Sequence, residues 1–231
     1  MRIDIWSDVV CPWCYIGKKR FDRALSRLTE DFTDLAESVD IVYRAYQLDP
    51  TAPVGRPTPV RDVYARKFGG PERADAIFEQ MTATAAAEGV RFDFPRALRA
   101  NTSQAHRLLW WSYQQFGYAG QSKLKEQLMA AYFSHGRDVG DVDSLADIAA
   151  SALTDFSEES SRADSIREFL LSDLGTDQVR ADIDEAAANG ITGVPTYVID
   201  GQWAIPGAQD SETFERILRR SLERRGSNFP E

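Results

Sequence analysis

Polar and apolar residues alternate from the start of the chain, Arg2-Ile3-Asp4-Ile5-Trp6, the period of a strand with one buried face. From Tyr15 the period becomes helical, with Ile16, Phe21, Leu25 and Leu28 near one face. Residues 39–46, rich in Val, Ile and Tyr, read as a second strand. Strand, helix, strand in that order is the right-handed crossover unit of a parallel sheet. Residues 47–59 then hold Pro50, Pro53, Pro57 and Pro59, which exclude a regular helix or a central strand. An exit loop is expected there, in a position where loops often contact substrate.

Helical periods dominate the middle of the chain. They predict helices over 60–68, 71–88, 103–116, 122–133, 144–153, 161–171 and 176–188, punctuated by Gly89, Gly117, Gly136 and Gly175. Leu124, Leu128 and Tyr132 mark one buried face. Strand character returns only at Thr196-Tyr197-Val198-Ile199 and Trp203-Ala204-Ile205, joined by the turn signal Asp200-Gly201-Gln202. A last amphipathic helix starts at about Ser211, with Phe214, Ile217, Leu218 and Leu222 inward. The expected fold is α/β: β-α-β, a helical block, then β-β-α, with one mixed sheet drawn from both ends of the chain. Residues 1–58 and 190–231 would form the sheet domain and 59–189 an inserted helical domain.

Composition narrows the class. With 43% hydrophobic and 27% charged residues, the 231-residue chain has ample material for a core. Its net charge of −9 argues against general binding to nucleic acid or anionic membranes. No apolar run has transmembrane length, and the N-terminus enters a strand at once, so a cytoplasmic location is expected.

Both cysteines of the chain fall in Cys11-Pro12-Trp13-Cys14, between the first strand and the first helix. In a chain otherwise free of cysteine this spacing reads as a redox dithiol. Cys11 would sit at the helix N-terminus, where unpaired N–H groups and the macrodipole favour a thiolate. Pro12 suits the first helical position. Cys14 lies about one turn on, placed to attack a mixed disulfide formed on Cys11. Cys11 is therefore the expected nucleophile and Cys14 the resolving thiol. A zinc site would need four ligands, and His106 and His135, the only histidines, show no ligand spacing. A non-enzymatic metal- or partner-binding module stands as a third alternative.

The stretches Ser7-Asp8-Val9-Val10-Cys11-Pro12-Trp13-Cys14-Tyr15-Ile16-Gly17-Lys18, Asn101-Thr102 with Ala105-His106-Arg107, Gly193-Val194-Pro195-Thr196 and Ile205-Pro206-Gly207-Ala208-Gln209 carry a family likeness. The chain resembles the DsbA-like branch of the thioredoxin superfamily, and within it the FrnE-like oxidoreductases. The resemblance implies a thioredoxin fold with a helical insertion and thiol–disulfide oxidoreductase activity without a bound cofactor or metal. It also implies a cis Val194–Pro195 bond facing the dithiol, with Pro12, Trp13, Val194, Pro195 and Thr196 positioning a disulfide-containing protein or small-molecule substrate. Strongly oxidising periplasmic members have His at the place of Trp13. An uncharged Trp13 implies a potential nearer thioredoxin's, about −270 mV, than the roughly −120 mV of the strong oxidant.

The same architecture is shared by kappa-class glutathione transferases and 2-hydroxychromene-2-carboxylate isomerases, which supply the alternative function, a glutathione-dependent transferase or isomerase. Those relatives carry Ser at the place of Cys11 and lack Cys14. Glutathione is accordingly a possible co-substrate. Asn101, His106, Gln209 and Asp210 are the candidate pocket residues. Competing structural readings make Asn101 a helix cap and Asp210 an N-cap. With no charge partner visible in the sequence, His106 reads as a hydrogen-bonded structural histidine, and His135 as exposed in a turn. Trp110, Trp111 and Tyr113 read as core.

Overall fold

Strand β1 (Arg2–Ser7) realises the first alternation: Ile3 and Ile5 lie beside Ile41 and Tyr43 of β2 (Asp40–Ala45), in parallel. On its other side β1 pairs antiparallel with β5 (Thr196–Ile199), which pairs antiparallel with β6 (Trp203–Pro206). The sheet order β2-β1-β5-β6 thus joins the two ends of the chain. These positions are those of a computed structural model that describes residues 1–31, 39–157 and 162–226.

Register puts Ile3, Ile5, Ile41, Tyr43, Tyr197 and Ile199 on one face, because side chains in paired strands share a face at matched positions. Helix α1 (Pro12–Asp31) covers that face with Phe21, Ala24 and Leu28, and the C-terminal helix, Ser211–Gly226, adds Phe214 and Leu218. The rings of Phe21, Tyr197 and Phe214 pack mutually, with centroids 4.6 to 5.4 Å apart.

Between the halves run α2 (Val60–Phe68), α3 (Pro71–Ala87), α4 (Ser103–His135), α5 (Val142–Leu153), α6 (Ala163–Leu171) and α7 (Thr176–Ala188). The C-terminal helix is α8. The helical block has its own apolar cluster, in which Phe92 stacks on Phe133 at 4.4 Å and Phe78 on Phe94 at 4.3 Å. Cys11, Cys14, Tyr15 and Ile16 belong to this cluster rather than to the sheet's. The first turns of α1 therefore join the two cores.

Several expectations need correction. The two helices foreseen over 103–116 and 122–133 are arms of one element meeting at Gly117, whose φ of 62° and ψ of −159° suit glycine alone. The second arm begins directly after it and supplies Gln121, so the five-residue break expected over 117–121 shrinks to Gly117. Thr58–Pro59, placed in the exit loop, forms a two-residue strand β3 with β4 (Leu98–Arg99), pieces too short to show a period. Helix α5 begins earlier than expected, because Asp141 caps it by accepting the Ser144 N–H at 2.8 Å. The expected helix start at residue 161 lies outside the described residues.

Sheet edge β2 is closed by side chains. Gln121 accepts the Tyr43 N–H (2.7 Å) and donates to the Tyr43 carbonyl (3.0 Å), while Asp182 accepts the Ala45 N–H (2.9 Å). These bonds satisfy groups that an open edge would offer to another strand.

Candidate active site

Backbone bonds fix both sulfurs. The Cys11 N–H donates to the Asp8 carbonyl (3.3 Å), closing a turn after β1. The Cys11 carbonyl accepts from the N–H groups of Cys14 (3.1 Å) and Tyr15 (3.2 Å), so Cys11 is the N-cap of α1 and Pro12 its first residue. The Cys14 N–H also points at Cys11 Sγ, 3.4 Å away, as it would at the oxygen of a capping Ser or Asp. Both cysteines are free thiols and both are buried.

Facing them is the segment before β5. The Val194–Pro195 peptide is cis, and the Val194 carbonyl lies 3.7 Å from Cys11 Sγ, in reach of its S–H. The loop is held from behind by Gly207 N–H to Pro195 O (2.7 Å) and by Thr196 Oγ1 to Gly193 O (2.8 Å). Helix α1 comes so close that a Cβ on Gly17 would lie 2.8 Å from the Tyr197 hydroxyl and 3.1 Å from Pro195 Cγ. Trp13 is exposed beside this junction and Pro12 is buried.

Two depressions flank the dithiol. One, of about 850 Å³, runs along Thr192–Thr196 and the β6 residues Ala204 and Pro206. The other, of about 880 Å³, opens beside Val10, the neighbour of Cys11, and is walled mainly by Leu48, Val60, Tyr64, Phe68 and Tyr132. Burial, with a smaller contribution from Cys11, raises the Tyr64 phenol to about 12, and Asp49, Lys67 and Arg99 bring charge to the same depression.

The thiols share a hydrogen bond that splits their acidities. That bond, then burial and the charge of Cys14, raises Cys11 well above the ordinary thiol value, opposed by the Cys14 N–H. Burial pushes Cys14 up as well. The Cys11 hydrogen bond, the Lys125 ammonium, the Ser7 hydroxyl and the Asp8 backbone outweigh it and bring Cys14 below its usual value. The helix terminus and the Cys14 N–H act on Cys11, while the Lys125 ammonium acts on Cys14.

The other candidate residues separate. His106 is buried with its Nε2 3.2 Å from Asp8 Oδ1, so a charge partner does exist; it comes from the turn before Cys11, far away in sequence. The second oxygen of Asp8 accepts the Leu48 N–H at 2.8 Å. Asn101 stands one residue before the N-cap Thr102, accepting the Ser103 N–H (3.0 Å) and donating to Ala52 O (2.9 Å). It fastens the proline-rich loop to α4. Asp210 accepts the Thr213 N–H (2.7 Å) and hydroxyl (3.0 Å) at the start of α8, the capping role, and Gln209 donates to Pro206 O (2.7 Å). His135 is exposed at the end of α4. Tyr113 is not core; it donates to Asp40 at 2.8 Å. Trp110 packs against Gly175, and Trp111 lies against Phe116 and Phe169.

Asp8 and Lys125 went unforeseen as site residues. Asp8 lay inside the quoted motif without an assigned role. Lys125 left a signal: with Gln121 it places two polar residues inside the buried Leu124–Leu128–Tyr132 stripe, where ordinary packing would favour apolar ones.

Comparison with known proteins agrees with this geometry. The chain matches the DSBA-like thioredoxin domain over residues 2–219, and it belongs to that family. It is similar to the crystal structure of a probable DsbA oxidoreductase from Streptomyces coelicolor, with 32% identity, TM-score 0.83, and coverage of 100% of this chain and 92% of that one. The fold is also that of a 2-hydroxychromene-2-carboxylate isomerase (16% identity, TM-score 0.65, 100% of both chains). The cytosolic disulfide reductase DsbM from Pseudomonas aeruginosa shares it too (13% identity, TM-score 0.61, 96% of this chain and 99% of that one). Among the described residues, no helix is long and apolar enough to cross a membrane.

Proposed function

We propose that this member of the DsbA-like family is a thiol–disulfide oxidoreductase in which Cys11 attacks the substrate disulfide and Cys14 resolves the mixed disulfide. One observation carries the reading: a free Cys11 at the N-cap of α1, bonded to Cys14 on one side and facing the Val194 carbonyl on the other. The helix terminus gives the order of events. The N-cap position and the Cys14 N–H aimed at Cys11 Sγ support the attacking Cys11 thiolate, and Cys14, one turn on, then displaces the substrate sulfur.

The Val194–Pro195–Thr196 segment offers an extended backbone beside the sulfur, against which a substrate strand can pair. The apolar cleft beside Val10 suits an uncharged part of the substrate, with Trp13 at the exposed junction. Disulfide-bearing proteins or small molecules are the substrate class, and glutathione is a co-substrate in a reducing, cytoplasmic setting. A structure of DsbM with glutathione exists for that relative, which is compatible with this choice.

Mass spectrometry after incubation with oxidised glutathione or insulin tests the reading. Cys14→Ser is expected to retain a mixed disulfide on Cys11, and Cys11→Ser to lose turnover. An adduct on Cys14 in preference to Cys11 overturns the order of attack. Glutathione binding without disulfide cycling would indicate the isomerase or transferase class, and stoichiometric zinc without cycling a metal-binding module.

A further inference from the structure

The cleft beside Val10 holds polar groups that thiol–disulfide exchange by itself does not use. Its walls come from the turn before Cys11, the exit loop with β4, and α2, and Tyr132 of α4 is the most enclosed residue among them. Tyr132 is 2% exposed, and its ring stands edge-on to Phe133 with centroids 4.7 Å apart. Its hydroxyl has no hydrogen-bond partner among the described residues, yet it is not sealed among protein atoms, so it opens on this cleft. The Tyr64 hydroxyl is in the same position, its ring fixed between Phe68 at 5.3 Å and Phe78 at 4.8 Å. Buried phenols ordinarily find a partner, as Tyr15 does in Glu126 at 2.9 Å. The Tyr43 hydroxyl is also unpaired, but protein atoms seal it where nothing can reach.

Charge at the cleft is unbalanced. Asp49 and Arg99 cancel, in contact at 2.6 Å. Lys67, in the last turn of α2, has no carboxylate in ion-pair distance among the described residues, and its Nζ lies 5.6 Å from the Phe68 ring centroid. In a chain of net charge −9 this cleft therefore carries one positive charge in excess. Apolar walls, two free phenol donors and a surplus cation together suit a flat apolar group bearing acceptor oxygens and a negative charge. An aromatic acid has that chemistry. A glutathione half, which has no apolar side group, does not.

We propose that the cleft beside Val10 is a specificity subsite for the disulfide of a small aromatic acid. The ring packs against Val10, Val63 and Phe68, an acceptor oxygen takes the hydroxyls of Tyr132 and Tyr64, and the carboxylate faces Lys67. The inference rests on the oxidoreductase reading above and names the substrate class which that site selects. Val10 borders both the cleft and Cys11, so a ring seated there holds its own sulfur beside the nucleophile. The depression along Thr192–Thr196 stays open to a peptide-like co-substrate such as glutathione.

The reaction balances. Cys11 and Cys14 give up two electrons and two protons, the aromatic S–S bond breaks into two thiols, and the Cys11–Cys14 bond forms. Two glutathione molecules then restore the dithiol and leave joined as one disulfide.

The test is single-turnover oxidation of the reduced protein by dithiobis(nitrobenzoate), a disulfide of an aromatic acid, by uncharged dithiodipyridine and by oxidised glutathione. For each variant the rate with the aromatic acid is divided by the rate with glutathione, which cancels damage to the dithiol itself. Tyr132→Phe, which keeps the ring, is expected to lower this ratio about fivefold. Val63→Trp, which fills the cleft from a half-exposed position on α2, should lower it about tenfold or more. Lys67→Gln should slow the acid about threefold at low salt and leave dithiodipyridine unaffected. Unchanged ratios in Tyr132→Phe and Val63→Trp overturn the proposal. So does a Val63→Trp protein slowed only with a disulfide-bonded peptide, because the cleft would then seat a protein side chain. Nitrobenzoate has no sulfur, and its binding, followed by ligand-observed NMR, needs no redox chemistry. Binding that Val63→Trp abolishes supports the subsite even in a protein that fails to cycle, and absence of binding overturns it even in one that cycles.

Discussion

Gly17→Ala probes how tightly α1 is pressed onto the segment that faces the dithiol. The new methyl would lie 2.8 Å from the Tyr197 hydroxyl, 3.1 Å from Pro195 Cγ and 3.3 Å from Ala208 Cβ. Comfortable contacts between carbon atoms begin at about 3.5 Å, so the neighbours must retreat by roughly half an ångström. Tyr197 has little freedom to do so: it is 2% exposed and wedged between Phe21 and Phe214. Overpacking of this kind costs about 1–3 kcal/mol. Replacing Gly by Ala inside a helix returns about 1 kcal/mol. The expected net loss is about 0–2 kcal/mol in urea unfolding, with the slope unchanged.

The same displacement should move the Val194 carbonyl relative to Cys11 and slow insulin reduction more than it lowers stability. Removing the oxygen that the methyl meets gives the control. In a cycle with Tyr197→Phe, the double variant should recover about 1 kcal/mol relative to additivity, within the range for residues in contact. A Gly17→Ala protein about 1 kcal/mol more stable than wild type, with unchanged turnover, would refute the close approach.

Three further outcomes follow from packing and charge. Phe214→Ala should cost about 3–5 kcal/mol in chemical unfolding, since its buried ring bridges Phe21 and Tyr197; a loss under about 1 kcal/mol would show that α8 contributes little to the sheet core. Arg107→Met should cost about 2–4 kcal/mol and speed amide exchange after α6, because the guanidinium bonds the carbonyls of Phe169, Leu170, Ser172 and Leu174; an unchanged melting temperature contradicts this. Glu88 links the end of α3 to α1. Burial raises its carboxyl, but Arg20 and Arg23 outweigh burial and hold it below the ordinary value. Its contribution is therefore present above the unfolded carboxyl value and lost as pH falls through the lower folded one. Glu88→Gln should destabilise near pH 7 and flatten that acid-side decline, and parallel stability curves for the two proteins would refute the assignment.

Period and punctuation alone determined much of this protein. Strand, helix, strand, helical block, hairpin and final helix are legible because each strand has one buried face and each long helix one apolar stripe. The dithiol was equally legible, since two cysteines at a strand-to-helix junction leave few other uses. What the sequence could not supply were pairings between distant segments and the energies of burial. Asp8 reaches His106 across 98 positions, β3 finds β4 only through the folded block, and Gln121 is a sheet-edge clamp only once α4 lies against β2. The division of acidity between the thiols is of the same kind. A local view gives the charge to Cys11, because helix dipoles act within a turn. The tertiary structure adds a full charge from a distant element, because folding buries Lys125 where its ammonium acts on Cys14 out of water's screening.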